Sequence, residues 1–212
     1  MRALLRRLDR LRRGPVGERV RRRLAEFRRL ARKGEEDWFS ELCYCLLTAN
    51  SAAAKSWAIQ REMGFEGFYA WPESEVVRCI RRHNHRFHNT KARRIVEARG
   101  LFGIRERLRR MVSARGVLAA RDWLQENVKG YGYKEASHFI RNVGYEGVAI
   151  LDRHVVSVMA ENGLLRRSPK ALNRKSYLAL ERKFASLARE AKMSMAELDL
   201  DLWYLKAGDV LK

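Results

Sequence analysis

The chain has 212 residues, with 45 lysines and arginines against 25 aspartates and glutamates, a formal net charge of +20. A hydrophobic content of 46% suits a globular fold, and 3 prolines with 14 glycines exclude collagen-like or low-complexity architecture. No apolar run approaches the roughly 18 residues of a membrane span, and three cysteines (Cys43, Cys45, Cys79) exclude both a disulfide framework and a four-thiolate iron–sulfur site built by this chain alone.

Residues 1–14 are arginine-rich and acid-poor, without the apolar stretch of a secretory signal. A short basic tail is expected there, ahead of one domain over 15–212. Pro15 opens the first expected helix, with Val16, Val20, Leu24, Phe27 and Ala31 on one stripe and Gly34 as its stop. Trp38, Phe39, Leu42, Cys43, Leu46 and Leu47 make a strongly apolar face on a second. Ser51 is the expected cap of a third, running to about Met63 before Gly64. The aromatic, Gly-interrupted stretch Phe65–Trp71 reads as a loop. Further helices are expected near 73–82, 90–100, 104–111, 116–128, 134–142, 153–162, 174–191 and 195–206, the last opened by a Ser194/Glu197 capping box. Strand signals are nearly absent; Val148-Ala149-Ile150-Leu151 reads as a short buried extended segment. The expected fold class is all-α: about ten short helices around one or two cores.

The positive charge points to a polyanion, and 34 of the 45 cations are arginines, which fork onto phosphate. A GC-rich genome or a hot habitat also produces such a composition. One segment departs from a generic bundle: Val128-Lys129-Gly130-Tyr131-Gly132-Tyr133-Lys134-Glu135-Ala136. An amphipathic helix runs into Gly-x-Gly and a second helix follows. Such a hairpin presents backbone N–H groups and a positive helix end to a phosphate or to a metal ion bridging to one. An ordinary αα turn has the same pattern. Lys134 falls in the first turn of the second helix, where the helix field disfavours a cation and favours a nucleophilic amine. Eighteen residues on, Asp152 follows the apolar run and precedes Arg153-His154. It reads as a helix cap or as the carboxylate partner of Lys134. His83, His85 and His88 are expected in a loop without partnered acids or cysteines, so no metal site is expected.

Helix, glycine hairpin, Lys134 and then Asp152 resemble the helix-hairpin-helix DNA glycosylase superfamily, which includes endonuclease III and the 8-oxoguanine glycosylases. Within it the chain looks like the compact archaeal-type (type 2) 8-oxoguanine DNA glycosylase/AP lyases. The resemblance rests on Trp38-Phe39-Ser40-Glu41-Leu42, Leu46-Leu47-Thr48-Ala49-Asn50, His85-Arg86-Phe87, Lys134 to Tyr145, Ala149 to His154, and Leu198 to Tyr204 with the terminal Lys212. No cysteine follows Asp152, so the iron–sulfur loop of endonuclease III is missing, and the β-domain of the larger eukaryotic-type enzymes has no room.

The resemblance implies two helical subdomains flanking a cleft, with a helix-hairpin-helix motif, and a bifunctional enzyme of base excision repair. Lys134 would form a Schiff base at the sugar C1′, and Asp152 would stabilise the positive charge that develops there. Phe87 and Trp203 would sandwich the flipped base, with the Lys212 carboxylate reading it. Lys129, Gly130, Gly132, Arg141, Arg153 and His154 would contact the DNA backbone. No cofactor is required, although carbonyls around Val128–Tyr133 suit a monovalent cation. The expected partner is damaged double-stranded DNA, bound by a monomer in a prokaryotic cytoplasm. A glycosylase for another oxidised base and a non-catalytic DNA-binding module are the alternatives.

Overall fold

The computed structural model describes residues 1–166, 169 and 172–212. In chain order the helices are α1 (Arg2–Arg13), α2 (Pro15–Leu30), α3 (Glu35–Thr48), α4 (Ala53–Tyr69), α5 (Glu73–Arg82), α6 (His88–Ala98), α7 (Ile104–Asn127), α8 (Tyr133–Asn142), α9 (Arg153–Glu161), α10 (Arg174–Ala191) and α11 (Met195–Ala207), with a 3₁₀ turn over Arg99–Leu101. No strand occurs among the described residues. No described helix is long and apolar enough to cross a membrane.

Two apolar cores divide the helices. The first is built on α3, whose residues from Trp38 to Leu47 are buried on nearly every side except at Ser40. A helix that is apolar all round belongs inside, and α4 to α8 pack about this one with Ile59, Phe68, Ile80, Ile95, Leu108, Leu124 and Phe139. The second core joins Leu4 and Leu8 of α1 to Ala149, Leu151, Val155, Met159, Phe184, Leu187, Leu198 and Leu202. A small third cluster (Val20, Phe27, Leu200, Val210) ties α2 and the C-terminal tail to α11.

Three expectations are corrected. Residues 2–13 are a helix and not a tail, because Leu4 and Leu8 lie one turn apart on one face and are buried at 2% and 1% exposure. Residues 65–69 are helical: Gly64, at φ 57°, kinks α4 without ending it, and the aromatics of the second half pack on Phe39 and Phe102. Ser51 does not cap α4, whose N-cap is Ala52. Elsewhere the expected helices are present. The two expected at 104–111 and 116–128 form one, kinked at Gly116 (φ 81°).

A buried ion pair joins the cores. Arg121 of α7 donates to Glu181 of α10 at 2.5 Å, and the same oxygen accepts the Ala149 N–H at 2.8 Å. The Tyr177 hydroxyl donates to the Ala149 carbonyl at 2.7 Å and lies 3.3 Å from the Leu151 nitrogen. These side chains substitute for the strand partner that Val148–Leu151 lacks, as buried backbone requires. They also fix where the next residue, Asp152, begins α9.

Candidate active site

The junction of the two cores holds a cavity of about 710 Å³. Its walls are the end of α3 and the start of α4 (Thr48 to Ala54), α8, the Ile150–His154 segment, α11 and the C-terminal Leu211 and Lys212. A cavity this size accepts a nucleotide-sized group.

Lys134 and Asp152 both line it. Lys134 stands in the first turn of α8, with His138 and Arg141 four and seven residues on. That spacing puts all three on one helical face, and all three line the cavity. The Lys134 ammonium is 3.6 Å from Glu135 Oε1 and its side chain is 23% exposed. Asp152 is the N-cap of α9: its Oδ1 accepts from His154 N–H at 2.9 Å and Val155 N–H at 2.8 Å. Cap and cavity carboxylate are therefore one residue, and Oδ2 takes no hydrogen bond among the described residues.

Behind this pair lies a set of buried polar groups. His138 is pushed well below its usual range by burial and then by the charges of Lys134, Arg141 and Lys212. It is a neutral imidazole with Nδ1 3.4 Å from the Thr48 hydroxyl. Lys91 donates to the carbonyls of Leu46, Leu47 and Ala49 (2.8 Å to the last), closing the C-terminus of α3. Burial and the neighbouring Lys134 charge lower its amine to about 7.

Lys212 is anchored. Lys212 Nζ donates to Glu41 Oε2 and to Gln60 Oε1, each at 2.6 Å, and lies 4.3 Å from the centre of the Tyr44 ring. The Tyr44 hydroxyl donates to the Lys212 carbonyl at 2.7 Å. Glu41 is itself buried and also accepts from Asn142 at 2.5 Å. Sequence reading missed Glu41, Tyr44 and Gln60, because an anchor spanning 171 positions leaves no local spacing.

The hairpin is Val128–Gly132, with Gly130 at φ 99°. A side chain there would be strained by backbone sign and would meet Leu46 at 3.3 Å. The Tyr131 N–H goes to the Val128 carbonyl (3.0 Å) and the Gly132 N–H to Glu135 Oε2 (3.1 Å). Within the hairpin this leaves the N–H groups of Lys129 and Gly130 for a phosphate, fewer than the expected run. Lys129 is exposed, 3.7 Å from Glu97, and Arg153 is exposed at the cavity edge.

Other expected contacts fall differently. Arg141 is not placed to touch phosphate: it is 4% exposed, 3.3 Å from Asp199 and over the Phe27 ring at 4.5 Å. Its position on the inward face of α8 makes it part of the wall. His154 and Trp203 line the cavity and meet edge to face at 6.0 Å. Phe87 lies outside the lining, 51% exposed, in a left-handed conformation (φ 60°) beside Arg86, which does line it. Among the histidines, His85 is buried against Ser56 at 3.1 Å and burial lowers it to about 4. His83 is not partnerless: Glu62 lies 2.6 Å away and Cys79 is close by.

A lysine on the second helix of a glycine hairpin, sharing a nucleotide-sized cavity with a helix-capping aspartate, is the arrangement that the resemblance to helix-hairpin-helix DNA glycosylases implies. Comparison with known proteins narrows the class. The family model described as 8-oxoguanine DNA glycosylase matches residues 20–193. An 8-oxoguanine DNA glycosylase/AP lyase of Methanocaldococcus jannaschii is 39% identical over 209 residues, 99% of each chain. One of Thermotoga maritima is 40% identical over the whole of both. A crystal structure of the Methanocaldococcus jannaschii glycosylase/lyase in complex with a 15mer DNA containing 8-oxoguanine superposes with a TM-score of 0.94 at 38% identity, covering 99% of this chain and 100% of that one. The chain belongs to the 8-oxoguanine DNA glycosylase family.

Proposed function

We propose that this protein excises 8-oxoguanine from double-stranded DNA and nicks the strand at the abasic site it creates. The observation that carries this reading is the placement of Lys134, Asp152 and Lys212 in the wall of one cavity; the relatives' shared activity supports it.

The lesion nucleotide leaves the stack and enters the cavity, at a cost of a few kcal/mol. The Lys134 amine attacks C1′, and the base departs with the glycosidic electron pair. Asp152 Oδ2 faces the positive charge developing at the sugar, in a site where fixed charges act strongly. Breaking of the C1′–O4′ bond, with the amine proton passing to O4′, opens the sugar and gives the Schiff base, and removal of a C2′ proton expels the 3′ phosphate. Recognition needs an acceptor for the N7–H that distinguishes 8-oxoguanine from guanine, and the Lys212 carboxylate supplies it. Trp203 forms one face of the base slot, and Phe87 closes on the other. Lys129 and Arg153 contact phosphates. A monovalent cation in the hairpin would be held by the carbonyls of Lys129, Gly130 and Tyr131, since those of Val128 and Gly132 accept from Tyr131 and Ala136.

Borohydride trapping on an 8-oxoguanine duplex tests the proposal. A covalent adduct is expected with the native chain and none with Lys134→Gln. Salt-sensitive binding without an adduct would reduce the protein to a DNA clamp, and trapping with another lesion alone would change the substrate.

A further inference from the structure

Away from the cavity, Glu62 of α4, Cys79 of α5 and His83, the C-cap of α5, bring one oxygen, one sulfur and one nitrogen together. All three donor atoms lie within 4.8 Å of one another. The sequence dictates half of this: Cys79 and His83 are four apart, so they share a face of α5. Glu62 arrives from α4, two residues before the kink at Gly64. Its Oε2 lies 2.6 Å from His83 Nε2, while its Oε1 accepts from Arg82.

We propose that Glu62, Cys79 and His83 form a site for a divalent transition ion of the zinc class, with a fourth position left to water. Zinc bonds of about 2.0–2.3 Å place tetrahedral ligands about 3.3–3.7 Å apart, so small rotations of two partly exposed side chains close the triangle. A thiolate with an imidazole selects zinc or cobalt over magnesium or calcium, which favour oxygen donors. Arg82, on the far oxygen of Glu62, orients the carboxylate as an outer-sphere partner does. Glu62 and His83 are 32% and 24% exposed, which gives an ion its entry, while Cys79 closes the inner side. On binding, the Sγ–metal bond replaces the S–H bond and the proton leaves to solvent. The fold gives the site a mechanical place. His83 ends α5 and begins the loop to Phe87, in which Asn84 and Phe87 both take left-handed backbone conformations. A metal there would clip the root of that loop to α4.

Cobalt(II) titration tests this without reference to glycosylase activity. One equivalent is expected to give a thiolate-to-cobalt charge-transfer band and the intense visible bands of a four-coordinate ion, both bleached by zinc. Cys79→Ser should remove the charge-transfer band; the other two cysteines are fully buried in the first core. Glu62→Gln and His83→Gln, at partly exposed positions that leave the fold intact, should each weaken cobalt binding by more than the roughly 10–100-fold typical of losing an outer-sphere partner. No charge-transfer band in the native chain, a band retained in Cys79→Ser, or unchanged affinity in both Gln variants would overturn the site.

Discussion

Asp152 holds two N–H groups of α9 with one oxygen and leaves the other without a partner among the described residues. Asparagine caps a helix about as well as aspartate, so Asp152→Asn separates the two duties. We expect an unchanged melting temperature and DNA affinity within a few-fold, with base excision slowed roughly 10²–10³-fold. Single-turnover kinetics beside thermal melting checks this, and retained turnover would leave Asp152 a cap alone. Glu41 makes the complementary case. Glu41→Gln removes the charge that fixes Lys212, and we expect about 1–3 kcal/mol of lost stability. Excision of 8-oxoguanine should fall more than cleavage of a plain abasic site; equal losses on the two substrates would deny the anchor a part in reading the base. That Lys134 and Asp152 would meet in one cavity was legible because hairpin, lysine and aspartate keep local spacings. Glu41, Tyr44 and Gln60 were not, since their chemistry appears only after chain ends meet. Arg141 was misread because an arginine's exposure is a tertiary property, here set by Asp199 and Phe27.

At the level of the helices, apolar periodicity located most of them, and the errors share a cause. Gly64 and Gly67 made 65–69 look like loop, whereas the aromatic side chains found partners in Phe39 of α3 and Phe102. An arginine-rich α1 looked solvated because only Leu4 and Leu8 reveal its inner face. Its docking depends on a close approach: a side chain at Gly17 would stand 2.1 Å from the Arg12 carbonyl. Gly17→Ala should therefore separate α1 from α2, seen as faster amide exchange in residues 2–13 and a lowered melting temperature. Helix α11 carries a pH dependence. Burial, then the charge of Glu197, raise the Asp201 carboxyl to about 7, above its unfolded range near 3.9. A carboxyl raised by folding binds its proton more tightly in the native state. Its contribution is thus full below about pH 4 and lost as pH rises towards 7. Asp201→Asn should match the native chain at pH 4 and exceed its stability at pH 8 by on the order of 1–2 kcal/mol; melting curves at the two pH values decide it.

For the molecule as a whole, a net charge of +20 makes DNA affinity a function of salt. Each neutralised phosphate contributes a slope of about −0.9 to log K against log salt. Lys129→Gln should reduce that slope by about 0.9 and weaken all sequences alike, whereas Arg141→Gln should leave the slope unchanged and lower stability instead. Equal slopes in Lys129→Gln and the native chain would take the hairpin lysine off the phosphate backbone. The all-α plan was readable from periodicity, which left one core or two open; which lobe claims which end of the chain was not readable. That division matters while the protein is being made. The buried residues that share a core with Leu4 and Leu8 lie from Ala149 onward, so at 5–20 residues per second α1 waits on the order of 10–30 s on the ribosome for its seat. The lobe around α3 can close early from contiguous chain. The other carries the high contact order, and a nascent chain halted between them would present a bare arginine-rich amphipathic helix to the nearest anionic surface, ribosomal RNA included.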